Sequence, residues 1–229
     1  FKILELMGHK WAKNCVHVSH GLYQYKDGKK FSTRKGKLVF MEDILKETTN
    51  LAKKQLKKRT KLSEKELEKR ARKVAIAAIF YGDLKSNRTN NVVFDLDRFV
   101  SFEGDTGPYL LYSYARASSI LRKAKEASKR SSLRDPKSFK LENLEEKEIE
   151  LVKKLEEFEK VLSNAYEHLN PALIANYSYQ LSQIFNEFYH SCPVIDSDKK
   201  DFRLALVQSF RQILKNGLNL LGIDVLEEM

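Results

Sequence analysis

The sequence predicts a mainly α fold, with an antiparallel helical bundle forming its C-terminal part and a small αβ segment before it. Three observations carry this. Apolar residues recur in steps of three and four through most of the chain after Met41. Alternation of period two is confined to the first 40 residues. Proline, asparagine and glycine fall between the helical stretches, at Pro108, Asn170-Pro171, Pro193 and Gly222. With 229 residues and 42% hydrophobic content the chain can bury one or two cores. It has no run of about 18 apolar residues, so no helix is expected to cross a membrane. Two distant cysteines, Cys15 and Cys192, suit a reduced compartment. A soluble, cytoplasmic monomer is expected.

The opening F-K-I-L-E-L-M-G reads as the end of an amphipathic helix, so the chain is expected to be part of something larger. C-V-H-V-S-H-G-L-Y-Q-Y (15–25) and K-L-V-F (37–40) read as strands on either side of a basic loop. In that loop Lys29, Lys30, Arg34, Lys35 and Lys37 surround two hydroxyls, Ser32 and Thr33. It is not a Walker loop, because seven residues separate Gly28 from Gly36 and Leu38 follows Lys37. Lysines and hydroxyls on a glycine-flanked turn can still hold a polyphosphate and offset charge on a leaving pyrophosphate. A solvated turn is the alternative reading.

Met41, Ile44, Leu45, Thr48, Ala52 and Leu56 then mark a helix. Ser63-x-x-Glu66 is a capping box for a second, with Leu67, Ala71, Val74, Ala75, Ala78 and Ile79 as its apolar stripe. Residues 87–105 are mixed, with N-R-T-N-N and E-G-D-T as turn clusters. Pro108 suits a first helical turn, where its missing N–H has no partner to lose. Leu151, Leu155, Phe158, Leu162, Ala165 and Leu169 predict one continuous helix. Asn170-Pro171 starts another, carrying Ile174, Tyr177, Leu181, Ile184 and Phe188. A last helix runs from about Lys200 to Leu221, closed by Gly222. The expected organisation is 1–40 as the αβ segment, 41–90 as a basic helical connector and 91–229 as the all-α domain.

The formal charge of +11 is unevenly placed. Residues 51–73 hold eleven Lys/Arg against three Glu, among them Lys53, Lys54, Lys57, Lys58 and Arg59. Residues 122–140 hold eight against two, and 142–167 reverse the sign. Such segregation favours a polyanionic partner, nucleic acid ahead of membrane; well-solvated helix faces are the bland alternative. Tyr109, Tyr112 and Arg116 fall at i, i+3 and i+7, placing two rings and a guanidinium on one helix face below a glycine-containing loop. Unstacked RNA bases need such groups, although packing of the tyrosines in the bundle fits the spacing equally well. Cys15, His17 and His20 do not make a metal site: His20 would point away from the others and no fourth ligand is near.

The run K-F-S-T-R-K-G (Lys30–Gly36), then F-E-G-D-T-G-P-Y-L-L-Y-S-Y-A-R (Phe102–Arg116), F-Y-H-S-C-P-V (Phe188–Val194), R-L-A-L (Arg203–Leu206) and L-K-N-G-L-N-L-L-G-I (Leu214–Ile223) resembles the C-terminal part of arginyl-tRNA synthetases. The resemblance covers essentially the whole chain. It implies a class Ia ligase that activates arginine with ATP and Mg2+ and transfers it to its tRNA. It also implies a class I anticodon-binding bundle behind a remnant of the catalytic nucleotide-binding fold. Lys30, Ser32, Thr33, Arg34 and Lys35 correspond to the K-M-S-K-S loop over the ATP phosphates. Lys30 and Ser32 match, but Phe31 replaces Met and Thr33 stands at the second lysine. Arg34, Lys35 or an upstream lysine is then the candidate cation. By the same resemblance, His17 to Gly21 run beside the adenosine. Lys53, Lys54, Lys57, Lys58 and Arg59 meet the tRNA backbone. Phe102, Glu103, Gly104, Asp105, Thr106, Tyr109, Tyr112, Arg116 and Met229 face the anticodon. The H-I-G-H element is absent from these residues, so the piece alone is expected to be inactive. No bound metal is expected. The alternatives are a non-catalytic RNA-binding or scaffold protein with a synthetase tail, and another class Ia enzyme such as the cysteine or methionine one.

Overall fold

Helix α1 (Lys2–Leu6) and a 3-10 turn (Lys10–Asn14) open the chain in a computed structural model that describes residues 1–24, 40–93, 95–127 and 143–229. Phe1, Ile3, Leu6, Met7 and Trp11 in this opening part are exposed. The expected strand over 15–25 is reduced to β1 (Tyr23–Gln24), which pairs in parallel with β2 (Val92–Val93). A strand forms only where a neighbour takes its backbone groups, and the partner segment is two residues long. Alternation in the preceding residues therefore produces no ladder. The strand expected at 37–40 lies outside the described residues except for Phe40, which caps a helix instead. The phosphate-loop candidates Lys30, Ser32, Thr33, Arg34 and Lys35 also lie outside them.

Helices α2 (Met41–Lys57) and α3 (Glu64–Leu84) form a hairpin. Ala52 and Leu56 are buried against it, as are Leu67, Ala71 and Val74. Two threonines on the buried face, Thr48 and Thr49, return their hydroxyls to the carbonyls of Ile44 and Leu45 at 2.7 and 2.6 Å, which removes the cost of burying an unpaired O–H. The Ser63 hydroxyl accepts the Glu66 N–H at 3.3 Å, as the capping pattern predicts. The Glu66 carboxylate pairs with Arg70 at 2.9 Å.

After α4 (Leu96–Phe99), α5 (Gly107–Ala127) crosses α3 so closely that a Cβ on Gly107 would lie 2.1 Å from the Ala77 carbonyl. Only glycine permits that approach. The remaining helices are α6 (Glu146–Glu156), α7 (Phe158–Glu167), α8 (Ala172–Ser191) and α9 (Lys200–Leu220). The single helix expected over 151–169 is thus two. The Tyr177 hydroxyl donates to the Lys154 carbonyl at 2.8 Å, the acceptor that the Phe158 N–H would use in an uninterrupted helix. A side chain inserted into the ladder interrupts the helix at Glu157.

One contiguous core joins α2, α3, α5, α6, α8 and α9. Tyr114, Phe185, Phe188, Phe210, Leu110 and Leu181 are fully buried in it, each contributing roughly 1.5–3 kcal/mol. Phe185 of α8 and Phe210 of α9 stack with centroids 3.7 Å apart. Gly222 ends α9 at φ +73°, the conformation its capping role requires. No helix among the described residues is long and apolar enough to cross a membrane.

Candidate nucleic-acid interface

The loop before α5 is built from its own polar groups. Thr106 donates to the Ser101 carbonyl at 2.5 Å and accepts the Tyr109 N–H at 3.3 Å, which caps α5. Asp105 is tied to α3: it accepts the Tyr81 hydroxyl at 2.5 Å and the Lys85 ammonium at 3.0 Å. Burial, reinforced by that carboxylate, holds the Tyr81 phenol well above its ordinary pKa. Asp105 and Thr106 therefore fix the loop, while Glu103 and Gly104 project at its exposed tip. Phe102 is buried, with the Arg59 guanidinium 4.6 Å above its ring.

From this base α5 presents Tyr112 and Arg116 into a cleft of about 660 Å3 between α5, the end of α8 and the C-terminal segment. The Arg116 guanidinium lies 4.7 Å from the Tyr112 ring and 5.3 Å from that of Tyr189. It donates to the Tyr112 hydroxyl at 3.1 Å and to Asn186 Oδ1 at 2.6 Å. Asn186 Nδ2 in turn reaches the hydroxyls of Tyr109 and Ser113 at 2.8 and 3.1 Å. Tyr109 packs edge-on against Tyr179 at 5.6 Å. Met229 lines the same cleft. Its segment is held there by Tyr114 and Arg211 on Glu227, and by Arg70 and Arg122 on Glu228. Of the residues expected at this face, Tyr112, Arg116 and Met229 share the cleft, and Tyr109 joins through Asn186.

The basic residues at the end of α2 and just after it divide into two sets. Lys53 is paired with Glu64 and Glu68, both at 2.9 Å, and Lys57 with Glu64 at 2.7 Å. Lys54 and Lys58 are exposed and make no ion pair among the described residues. Arg59 leans over Phe102 and lies 6.0 Å from the Tyr112 ring, which carries the basic run into the aromatic cleft.

On the other side of α3, Gly21 donates to the Arg88 carbonyl at 2.6 Å, and a Cβ there would sit 2.0 Å from the Asn90 carbonyl oxygen. Its glycine is required by this backbone approach. Gly21 borders a pocket of about 330 Å3 with His20, Leu22, Asp83 and Arg88. His17 is exposed and outside that pocket.

Glu145, Glu148 and Cys192 bring ligand atoms within 4.8 Å of one another. The space belongs to a cation of the chain itself: Arg203 bonds Glu148 at 2.7 Å, Glu145, and the Pro193 carbonyl at 2.7 Å. Lys199 adds a contact to Glu148 at 3.4 Å. Burial alone would raise the Glu148 carboxyl, yet the Glu145 N–H and Arg203 keep it below its ordinary pKa. Burial, with Glu145 beside it, pushes the Cys192 thiol up to about 11. This cluster joins α6 to α9 and is built to hold helices together.

The sequence assigns no site role to Asn186, Tyr189 or the Arg203 cluster, although Tyr189, Cys192 and Arg203 lie in the runs that carry the family resemblance. Asn186 and Tyr189 are three apart on α8 and so share a face. That spacing was the available signal, but their meeting with Arg116 is a contact between helices far apart in sequence.

Residues 110–229 match the DALR anticodon binding domain, and residues 1–96 match the class I tRNA synthetase catalytic domain of the arginine type. The arginine–tRNA ligase of Clostridium acetobutylicum is 41% identical over 231 residues, covering 100% of this chain and 39% of that protein. The Clostridium kluyveri arginine–tRNA ligase is 43% identical over 232 residues, covering 100% and 40%. Thermus thermophilus arginyl-tRNA synthetase superposes with a TM-score of 0.85 at 30% identity, over 99% of this chain and 38% of that one. The Plasmodium falciparum enzyme gives 0.76 at 25% identity, over 100% and 38%. The chain thus spans about 40% of the length of the curated relatives it matches. It belongs to the arginyl-tRNA synthetase family, with a DALR anticodon binding domain behind the end of a class I catalytic domain.

Proposed function

We propose that this chain is the tRNA-reading part of an arginine–tRNA ligase, a protein that joins arginine to its tRNA at the expense of ATP. The observation that carries this reading is the convergence of Tyr112, Arg116, Tyr189 and Met229 in one open, basic cleft of the anticodon-type domain. Aromatic rings offer stacking to splayed bases, and the guanidinium offers donors to their edges. Tyr109 and the exposed tip at Glu103 and Gly104 flank the path of the anticodon loop. Phe102, Asp105 and Thr106 set its floor. Lys54, Lys58 and Arg59 contact phosphates, with Lys53 and Lys57 contributing less because glutamates already pair them.

The loop containing Lys30, Ser32, Thr33, Arg34 and Lys35 is assigned to the ATP phosphates, with Mg2+ accompanying ATP as substrate. His17 and Gly21 border the adenosine side. In the full-length protein ATP and arginine react to form an arginyl adenylate and release pyrophosphate. The tRNA 3′ hydroxyl then attacks the activated carboxyl and AMP departs. Basic side chains of the loop stabilise charge as pyrophosphate leaves. ATP–pyrophosphate exchange by the full-length protein, with tRNA present, tests the assignment. Exchange should require arginine; exchange with cysteine or methionine would identify another class Ia enzyme, and none at all a non-catalytic RNA-binding protein.

A further inference from the structure

We infer that Asn186 is the positioning residue of the cleft: it fixes Arg116 so that the site presents hydrogen-bond donors outward and selects a base edge rich in acceptors. This rests on the proposed reading of the cleft as a base-binding site. The orientation of the Asn186 amide follows from its neighbours. Arg116 can only donate, so the group 2.6 Å from its Nη1 must be the amide oxygen. The amide nitrogen then faces Tyr109 and Ser113. Ser113 has already committed its proton to the Tyr109 carbonyl at 3.0 Å, so its oxygen is free to accept. The arrangement is consistent in one direction only, and an amide flip would set N–H against N–H.

Two consequences reach the cleft. The Tyr112 oxygen accepts from Arg116, which leaves its phenolic proton available to a ligand in the cleft, while the Tyr109 oxygen accepts from Asn186 behind it. Arg116 spends two of its N–H groups on Asn186 and Tyr112 and, held between the Tyr112 and Tyr189 rings, keeps the others for the ligand. Carbonyl oxygens and unprotonated ring nitrogens satisfy such a surface. An exocyclic amine in the same place leaves donors facing donors, which costs binding.

The substitution Asn186→Asp tests this, because the shape is kept and the Arg116 contact becomes charged. A carboxylate has no N–H, so Tyr109 must turn its proton inward, and the charged pairing draws the Arg116 guanidinium away from the ligand. The probes are two anticodon stem-loop RNAs, one with an arginine anticodon and one with its three anticodon bases replaced, measured with the full-length protein. Asn186→Asp should reduce discrimination between them by roughly tenfold or more while the melting temperature holds. Asn186→Ala should do the same by freeing the guanidinium, and if that variant fails to fold, Asn186→Asp decides alone. Equal weakening of both RNAs, or unchanged discrimination, would overturn the role of Asn186. Failure of the unaltered protein to discriminate would overturn the base-reading assignment itself.

Discussion

Arg116 owes its geometry to two rings and one amide, so the consequences of altering it can be separated from folding. Arg116→Ala should lower cognate discrimination by about 1–3 kcal/mol, and Tyr109→Ala should act in the same direction. Isothermal titration with cognate and anticodon-substituted RNA checks both. Asp105 behaves differently: as a partner of Tyr81 and Lys85 its loss should appear first in stability. Cys192 is fully buried and its thiol is pushed up to about 11, so the thiolate is scarce at neutral pH. In the native protein it should stay unmodified by iodoacetamide at pH 8 and react only after unfolding, as read by mass spectrometry. Tyr112 and Arg116 were legible in the sequence because i, i+4 spacing fixes a shared helix face. Asn186 and Tyr189 were not, because their role depends on where α8 packs against α5.

The helices carry the electrostatic part of the account. Neutralising Lys54, Lys58 and Arg59 together should weaken binding of every tRNA and flatten the dependence of affinity on salt. Neutralising Lys53 and Lys57 should flatten it less, since their charges are shared with Glu64 and Glu68. At the joint of α6 and α9, Glu148→Ala leaves Arg203 buried without its fully buried carboxylate partner and should cost about 3–5 kcal/mol in urea unfolding. The Glu148 carboxyl is held below its unfolded value of 4.5, so its contribution is present above that pH and is lost as pH falls through the folded value. Stability of the Glu148→Gln variant should therefore vary less with pH in that acidic window. Helix α6 was readable from Leu151 and Leu155, but the break at Glu157 was not, because it comes from the Tyr177 hydroxyl of another helix. The strand expected over 15–25 is cut back to Tyr23–Gln24 among the described residues for a related reason, since alternation says nothing about how long a partner strand is there.

At the scale of the whole molecule, the connector α2–α3 and the bundle share one apolar core from Ala52 and Leu56 to Phe210 and Leu214. Boundaries expected near 40 and 90 describe charge and composition, whereas burial joins α2 and α3 to the helices that follow. The basic run and the aromatic cleft are consequently held in fixed register, with Arg59 touching both. Under the proposed function, a single binding event would engage tRNA phosphates and anticodon bases together. The central claim is that bases are read in the cleft of Tyr112, Arg116 and Met229. Its most direct test is the ratio of dissociation constants for arginine tRNA and the same tRNA with its anticodon bases replaced, measured for the unaltered protein and for Arg116→Ala. The unaltered protein should show a large ratio that Arg116→Ala collapses by about 1–3 kcal/mol, with the affinity for the anticodon-substituted tRNA little changed. A ratio near one for the unaltered protein, or one that survives Arg116→Ala intact, would contradict it.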